Sequence, residues 1–139
     1  MAIHFTEYQV KAGLLHKRNM KTLLTNLIKH YTGESADLGY TFVSDDYLYE
    51  MNKNFLHHDT LTDIITFDLS PEKYGPRLGD VYISVDRVRE NAEKMGIPYY
   101  DELCRVIIHG ALHLCGYGDK TPAQKKAMRA LEDEWLSKR

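Results

Sequence analysis

The stretch CRVIIHGALHLCG, residues 104–116, decides the architecture of this chain. Nearly every position in it is apolar, which predicts a helix surrounded by protein on all sides. Gly116 is expected to end the helix in a left-handed conformation. The helix extends back to Asp101, so we interpret residues 101–114 as a buried helix around which the rest of the chain packs.

Two histidines interrupt this apolar stretch. His109 and His113 are four residues apart, and therefore lie on one face, one turn above the other. Two imidazoles at this spacing can converge on one ion at roughly 2.0–2.1 Å each. Tyr117 and Gly118 then let the chain reverse, so that Asp119 can approach the same ion. The pattern predicts a site for one transition-metal ion, with zinc as the expected metal.

The histidine pair does not by itself require a metal. In a chain with seven histidines the spacing arises by chance about one time in three, and the alternative is two core histidines hydrogen-bonded to their neighbours. Burying two imidazoles without partners is costly, however, and a metal would satisfy both. A zinc protease is not expected, because Gly110 stands where such enzymes carry a general-base glutamate. Cys115 is a poor ligand candidate, since on a continuing helix it would point away from the two histidines.

Hydrophobic periodicity and capping residues predict the remaining elements. Four further helices are expected at about residues 20–31, 45–55 and 85–95 and from Pro122 onward, the last one burying Met128, Leu131 and Trp135. Three strands are expected at residues 40–43, 63–68 and 80–85, with the last two pairing antiparallel across a Pro/Gly-rich loop. Because helices and strands do not strictly alternate, the expected fold class is α+β.

Composition limits the class of protein. With 139 residues, 43% of them hydrophobic and 27% charged, the chain is expected to form one domain over residues 1–139. It has no apolar run long enough for a membrane span and no recognisable signal peptide, so a cytoplasmic location is expected. Cys104 and Cys115 are eleven residues apart in one helix and cannot pair, because their Cα atoms would be roughly 16 Å apart. The net charge of -2 means that any nucleic-acid binding must use a local basic patch.

The stretch HGALHLCGYGD, residues 109–119, resembles the signature of the YbeY family, metal-dependent single-strand endoribonucleases involved in ribosomal RNA maturation. The family pattern is His-Gly-x-Leu-His-Leu-x-Gly-Tyr-Asp-His, and this chain matches it at positions 109, 110, 112, 113, 114, 116 and 117. Residues 52–67 and 78–84 also resemble family segments, so the likeness runs from about residue 40 to the end. It implies a zincin-like fold: a small mixed sheet of about four strands and about five helices around a buried His-bearing helix.

Two positions depart from the family pattern. Asp119 replaces the third metal-binding histidine, and Gly118 precedes it in place of aspartate. Carboxylate is an accepted zinc ligand, although it could favour a harder ion such as iron or manganese. Leu56 stands where the family commonly carries an arginine, which puts phosphate handling and catalysis in question. Nearby residues that could substitute for that arginine are Lys53, His57 and His58.

The resemblance implies metal-assisted hydrolysis of RNA phosphodiester bonds, with His109, His113 and Asp119 as ligands and a fourth position left for water. No side chain can be assigned as general acid or base. Arg77 and Lys120 are candidate phosphate contacts, and Lys125, Lys126 and Arg129 are others. The expected partner is ribosomal RNA or the small ribosomal subunit, with no membrane. Two alternatives stay open: a non-catalytic metal-binding ribosome-assembly factor, and a metal-dependent hydrolase of another substrate.

Overall fold

The computed structural model describes residues 2–57 and 61–139. Within these residues the chain forms four strands and five helices, in agreement with the expected α+β class. Their order and bounds are β1 (Ile3–Glu7), α1 (Lys17–Thr32), β2 (Ala36–Val43), α2 (Asp45–Leu56), β3 (Ile64–Asp68), β4 (Arg77–Ser84), α3 (Val85–Met95), α4 (Tyr99–Leu114) and α5 (Pro122–Leu136). No helix among them is both long and apolar enough to cross a lipid bilayer.

The sheet is mixed, with strand order β1-β2-β4-β3. Strands β1 and β2 pair in parallel, as do β2 and β4, whereas β3 runs antiparallel to β4. The antiparallel pairing predicted for the last two strands is confirmed. The two central strands alternate buried and less buried residues, the pattern of a sheet packed on one face.

Strand β1 was not predicted from the sequence. It lies at the edge of the sheet, and only Ile3 of its five residues is buried. An edge strand with so little apolar surface carries no clear alternation, and it forms because β2 offers a parallel partner. For the same reason β2 begins at Ala36, four residues before its predicted start at Tyr40.

The helix boundaries follow capping signals where these exist. Ser44 accepts a hydrogen bond from the backbone N–H of Tyr47, and Thr121 forms a full capping box with Gln124, so α2 and α5 begin close to where predicted. Helix α3 has the predicted bounds. Helix α1 begins three residues earlier than predicted. Its start was not recognised because the N-cap residue, His16, makes no side-chain cap hydrogen bond.

Helix α4 is the centre of the fold. It packs against α1, α3, α5 and the sheet, and its buried residues include Leu103, Ile107, Ile108 and Leu112. The hydroxyl of Tyr40 on β2 is fully buried and donates a hydrogen bond of 2.8 Å to the Ile107 carbonyl oxygen. This bond ties the middle of the sheet to the turn of α4 that carries the histidines.

The prediction that α4 is enclosed on all sides is wrong for one face. Arg105, His109 and His113 follow one another at intervals of four residues, and all three are only partly buried. The side chain of His109 is 17% exposed and that of His113 is 30% exposed. Polar side chains on one face of a helix need hydrogen-bond partners from water, from ligands or from other polar side chains, and this face opens into a cleft.

Candidate metal centre

A cleft of about 940 Å³ lies over the open face of α4. Its walls come from α4, from the end of α2, from β3 and from α5, so that residues distant in sequence meet around the two histidines. The carboxylates come from Asp63, Asp68, Glu102, Asp119 and Glu132, and the positive charges from Arg105, Lys120, Lys125 and Arg129. The combination of imidazoles, carboxylates and cations in one cleft is suited to a metal ion and an anionic substrate.

His109, His113 and Asp119 converge in this cleft. One ligand atom from each lies within 4.8 Å of the other two. Oδ2 of Asp119 is 3.2 Å from Nε2 of His109 and 3.5 Å from Nε2 of His113. Two ligands bound tetrahedrally at about 2.1 Å from zinc are about 3.4 Å apart, so this donor set fits an ion of that size. Within the described residues no other group of His, Cys, Asp and Glu meets the same criterion.

The end of α4 delivers Asp119 to the histidines. Gly116 adopts φ +100°, and its N–H donates to the carbonyl oxygen of His113, which turns the chain back immediately after the helix. The left-handed glycine predicted at this position is confirmed. Beyond it, Gly118 packs closely on Gln124: a Cβ there would lie 3.1 Å from the Gln124 side-chain oxygen. The aspartate of the family pattern would therefore require the Gln124 side chain to shift.

Gly110 also has a structural reason. A Cβ at this position would lie 3.1 Å from Val81 and 3.2 Å from Ile64, because the helix approaches the sheet closely here. The glutamate that a zinc protease would need at this position would require both of these side chains to shift.

Glu132 on α5 contacts Nδ1 of His109, the ring nitrogen that does not face Asp119. The sequence analysis did not identify Glu132. Its Oε2 lies 2.6 Å from Nδ1 of His109, while its Oε1 accepts a hydrogen bond of 3.1 Å from Arg105. Arg105 in turn donates to Asp133 at 2.6 Å. The available signal was its place on α5, four residues after Met128 and three before Trp135, on the face that these two residues were predicted to bury. Both are buried as predicted, and Glu132 is more deeply buried than Leu131, which was also expected on that face. An acid on the buried stripe of a helix needs a partner, and here the partners are a histidine and an arginine.

The two histidines have shifted pKa values of opposite sign. Burial by itself would lower the pKa of His109, but its hydrogen bond to Glu132 and the charges of Glu132 and Asp119 outweigh burial, and the pKa is raised. For His113, burial and the neighbouring His109 lower the pKa. The protein therefore holds a carboxylate-supported imidazole beside one that stays neutral to lower pH.

Beside Asp119 and Glu132, three more described carboxylate residues line the cleft: Asp63, Asp68 and Glu102. Burial raises the pKa of Asp63, although the nearby His109 acts in the opposite direction. Burial, and after it the negative charge of Asp63, raise the pKa of Glu102, which is only 5% exposed. Sequence reasoning could not rank Asp63 above Asp68 or Asp80, and it did not single out Glu102 at all.

The residues considered for RNA contact lie at different places. Lys120 is exposed and lines the cleft next to Asp119. Arg77 lines a second cavity of about 640 Å³, and it is only 8% exposed. Its guanidinium donates to the carbonyl oxygens of Glu72 and Gly75 in its own loop.

The structure also shows which residues at and near position 56 line the cleft. Leu56 is exposed and lines the cleft at the end of α2. Lys53 and His57 are exposed but do not line the cleft, and His58 lies outside the described residues. Among the described residues, the guanidinium groups that line the cleft therefore come from α4 and α5, as Arg105 and Arg129.

Both cysteines are free thiols, as predicted. Cys104 is buried in the core, and Cys115 lines the second cavity rather than the cleft. Burial raises the pKa of Cys115 to about 12, so the thiol stays protonated at neutral pH. Cys115 is thus removed from the metal centre both by position and by protonation.

Comparison with known proteins is consistent with this geometry. An endoribonuclease YbeY from Cytophaga hutchinsonii is 46% identical over 134 residues, which cover 96% of this chain and 90% of that protein. An endoribonuclease YbeY from Bacteroides thetaiotaomicron is 42% identical, with all of both chains covered. The solution structure of the protein TM1509 from Thermotoga maritima has a TM-score of 0.66 at 29% identity, covering 96% of this chain and 86% of that one. The sequence model of the family described as Endoribonuclease YbeY matches residues 4–139, and the chain belongs to this family.

Proposed function

We propose that this chain is a metal-dependent endoribonuclease that hydrolyses single-stranded RNA during ribosomal RNA processing and ribosome maturation. The observation that carries the proposal is the convergence of His109, His113 and Asp119 in an open cleft of a YbeY-family chain. Residues 1–139 would act as one nuclease domain. Family membership favours an enzyme over a non-catalytic assembly factor, because the named relatives are endoribonucleases.

Zinc is the metal proposed for the site. Two imidazole nitrogens and one carboxylate oxygen form a donor set that catalytic zinc sites use, and the separations of these atoms suit its bond lengths. A bound divalent ion would supply a water of lowered pKa and would polarise a phosphoryl oxygen. The carboxylate ligand keeps other divalent transition metals in consideration.

The surroundings of the site support an anionic substrate. Lys120, Lys125 and Arg129 line the cleft on the side of α5, and we propose that Lys120 contacts an RNA phosphate next to the metal. Arg77 would contact only RNA that extends past the cleft to the second cavity. The proposed partner is ribosomal RNA or the small ribosomal subunit, and the proposed place of action is the cytoplasm.

Metal analysis of the purified protein tests the ligand set. The wild type is expected to hold close to one equivalent of zinc, and His113→Ala and Asp119→Ala much less. His4→Ala is the matched control, because His4 is an exposed residue of β1 outside the cleft and should not change the metal content. An undiminished metal content in His113→Ala would refute the assignment, and a metal-free wild type would favour two core histidines.

Cleavage of single-stranded RNA tests the activity. The metal-loaded wild type should cut a single-stranded ribosomal RNA fragment, and removal of the metal by a chelator or by His113→Ala should abolish cutting. Cutting should be weaker at high salt, because lysine and arginine contacts to phosphate are lost as counterions compete. Association with the small ribosomal subunit without any cleavage would instead select the assembly-factor alternative.

A further inference from the structure

Glu132 receives two hydrogen bonds from opposite sides. The residue is 5% exposed, and each carboxylate oxygen has a different partner. Oε2 pairs with Nδ1 of His109 at 2.6 Å, and Oε1 accepts from Nη1 of Arg105 at 3.1 Å. Arg105 is held in turn by Asp133 at 2.6 Å. A buried carboxylate with both oxygens engaged by fixed partners has little freedom to move.

This arrangement dictates where the proton of a neutral His109 resides. A neutral imidazole carries one proton, and an ionised carboxylate can only accept a hydrogen bond. The short contact with Glu132 therefore places the proton on Nδ1 and leaves a lone pair on Nε2. Nε2 is the atom that lies 3.2 Å from Asp119 in the cleft, where a metal would have to bind.

We propose that Glu132 is a positioning residue for metal binding, which fixes the Nδ1-protonated tautomer and the ring orientation of His109, and that Arg105 anchors it. The inference rests on the proposed function in that His109 is taken as a metal ligand. It goes further by making the site depend on α5, which contributes no ligand itself. Carboxylates behind ligating histidines raise the basicity of the ligand, and removing them typically weakens metal binding 10–100-fold.

A purely structural role for Glu132 makes a different prediction. The ion pair with Arg105 alone would tie α5 to α4 and would need no contact with His109. The two roles are separated by the variant Glu132→Gln, because an amide has only one acceptor oxygen for two donors. The charged guanidinium makes the stronger hydrogen bond and keeps that oxygen, so the NH₂ group turns toward Nδ1 of His109. The imidazole proton must then move to Nε2, where it blocks the metal.

The experiment measures zinc affinity and the His109 tautomer in the full-length protein. Zinc binding is measured by competition with a chromophoric chelator, and the tautomer by ¹⁵N NMR of labelled histidine in metal-free protein, at a pH high enough for His109 to be neutral. Glu132→Gln should bind zinc 10–100-fold more weakly and show a proton on Nε2 of His109. Glu134→Gln is the matched control: it is the same change two residues away on an exposed site, and it should alter neither quantity.

A double variant gives the decisive comparison. In Arg105→Met with Glu132→Gln, the competing donor is gone, and the glutamine oxygen is free to accept from Nδ1 of His109. Zinc affinity should return to within about fivefold of wild type, and the Nδ1-protonated tautomer should return with it. A purely structural ion pair predicts no such recovery. This variant also serves if Glu132→Gln alone does not fold, since Arg105 is then no longer left without the Glu132 carboxylate.

The outcomes separate this inference from the proposed function. If the wild type binds no zinc, the proposed metal centre itself fails. If the wild type binds zinc tightly and Glu132→Gln binds it within threefold with an unchanged tautomer, the metal centre stands and the role of Glu132 is refuted. A double variant that loses as much affinity as Glu132→Gln would also refute it.

Discussion

Replacing Glu102 by glutamine should stabilise the metal-free protein at neutral pH. Glu102 lies on α4, is 5% exposed and lines the cleft. Its Oε1 has no hydrogen-bond partner among the described residues. Burial and the negative charge of Asp63 raise the pKa of the carboxyl group, which means that the fold favours its neutral form. At neutral pH the ionised group therefore opposes folding, and an uncharged side chain of the same shape removes that penalty.

The size and sign of the effect follow from linkage. Because folding raises the pKa of Glu102, the neutral carboxyl group does not oppose folding below the unfolded pKa, about 4.3. As the pH rises through the folded pKa, the group ionises in the folded protein and its stabilising contribution is lost. Glutamine should thus match wild type near pH 4 and exceed it at pH 7. An unpaired buried charge costs more than the about 1–3 kcal/mol of an unpaired neutral polar group, and glutamine still carries the neutral cost, so the gain is the difference, on the order of 1 kcal/mol. At roughly 4 °C per kcal/mol for a chain of this size, the expected rise in Tm is about 4 °C.

Thermal unfolding of chelator-treated protein at pH 4 and pH 7 measures this difference. Metal must be absent, because a ligand bound only to the native state would shift the Tm by mass action. Glu93→Gln is the matched control, since Glu93 is exposed on α3 and its Tm should change little at either pH. A Glu102→Gln variant less stable than wild type at pH 7, or equally stabilised at both pH values, would refute the reasoning.

Three further substitutions test the packing and the cleft. Tyr40→Phe removes the buried hydrogen bond to Ile107 and should lower the free energy of unfolding in urea by about 1 kcal/mol; an unchanged midpoint would contradict the bond. Gly79→Ala would bring a Cβ within 2.9 Å of Leu114 and should cost about 1–3 kcal/mol, so a stabilised variant would contradict the packing. Leu56→Arg adds a cation to the cleft and should tighten single-stranded RNA binding several-fold, with a salt slope steeper by about 0.7 in fluorescence anisotropy. An unchanged slope would place Leu56 away from the RNA.

The elements that were predicted well are those with local signals. Helix α3 lies between a serine cap at Ser84 and a left-handed glycine at Gly96, and its predicted bounds are those observed. Strand β1 has no such signals. It exists because residues 36–43 present an unpaired strand edge beside it, and a pairing partner more than thirty residues away along the chain is not visible in a local window.

The candidate site divides in the same way. His109, His113 and Asp119 lie within eleven residues, so helix periodicity placed the two histidines on one face and a reversal at Tyr117 and Gly118 let Asp119 approach them. The family resemblance then implied all three as ligands. Glu102 was not identified for another reason. It is one of two acids in the first turn of α4, and acidic residues are common at that position because they interact favourably with the helix dipole. Its burial in the cleft depends on how α4 packs against the neighbouring elements.

Local signals along the chain were sufficient to predict the α+β class and the histidine-bearing helix, because helix periodicity and capping act over a few residues. The resemblance to the family signature was needed to propose the ligand set. The opening of one face of α4 into a cleft, and the position of Arg77 in a different cavity, became visible only in three dimensions. The same is true of Glu132, which lies 23 residues after His109 and supports that imidazole from α5. Hydrogen bonds between helices depend on how the helices dock, and docking is set by the packing of the whole core rather than by any single stretch of chain.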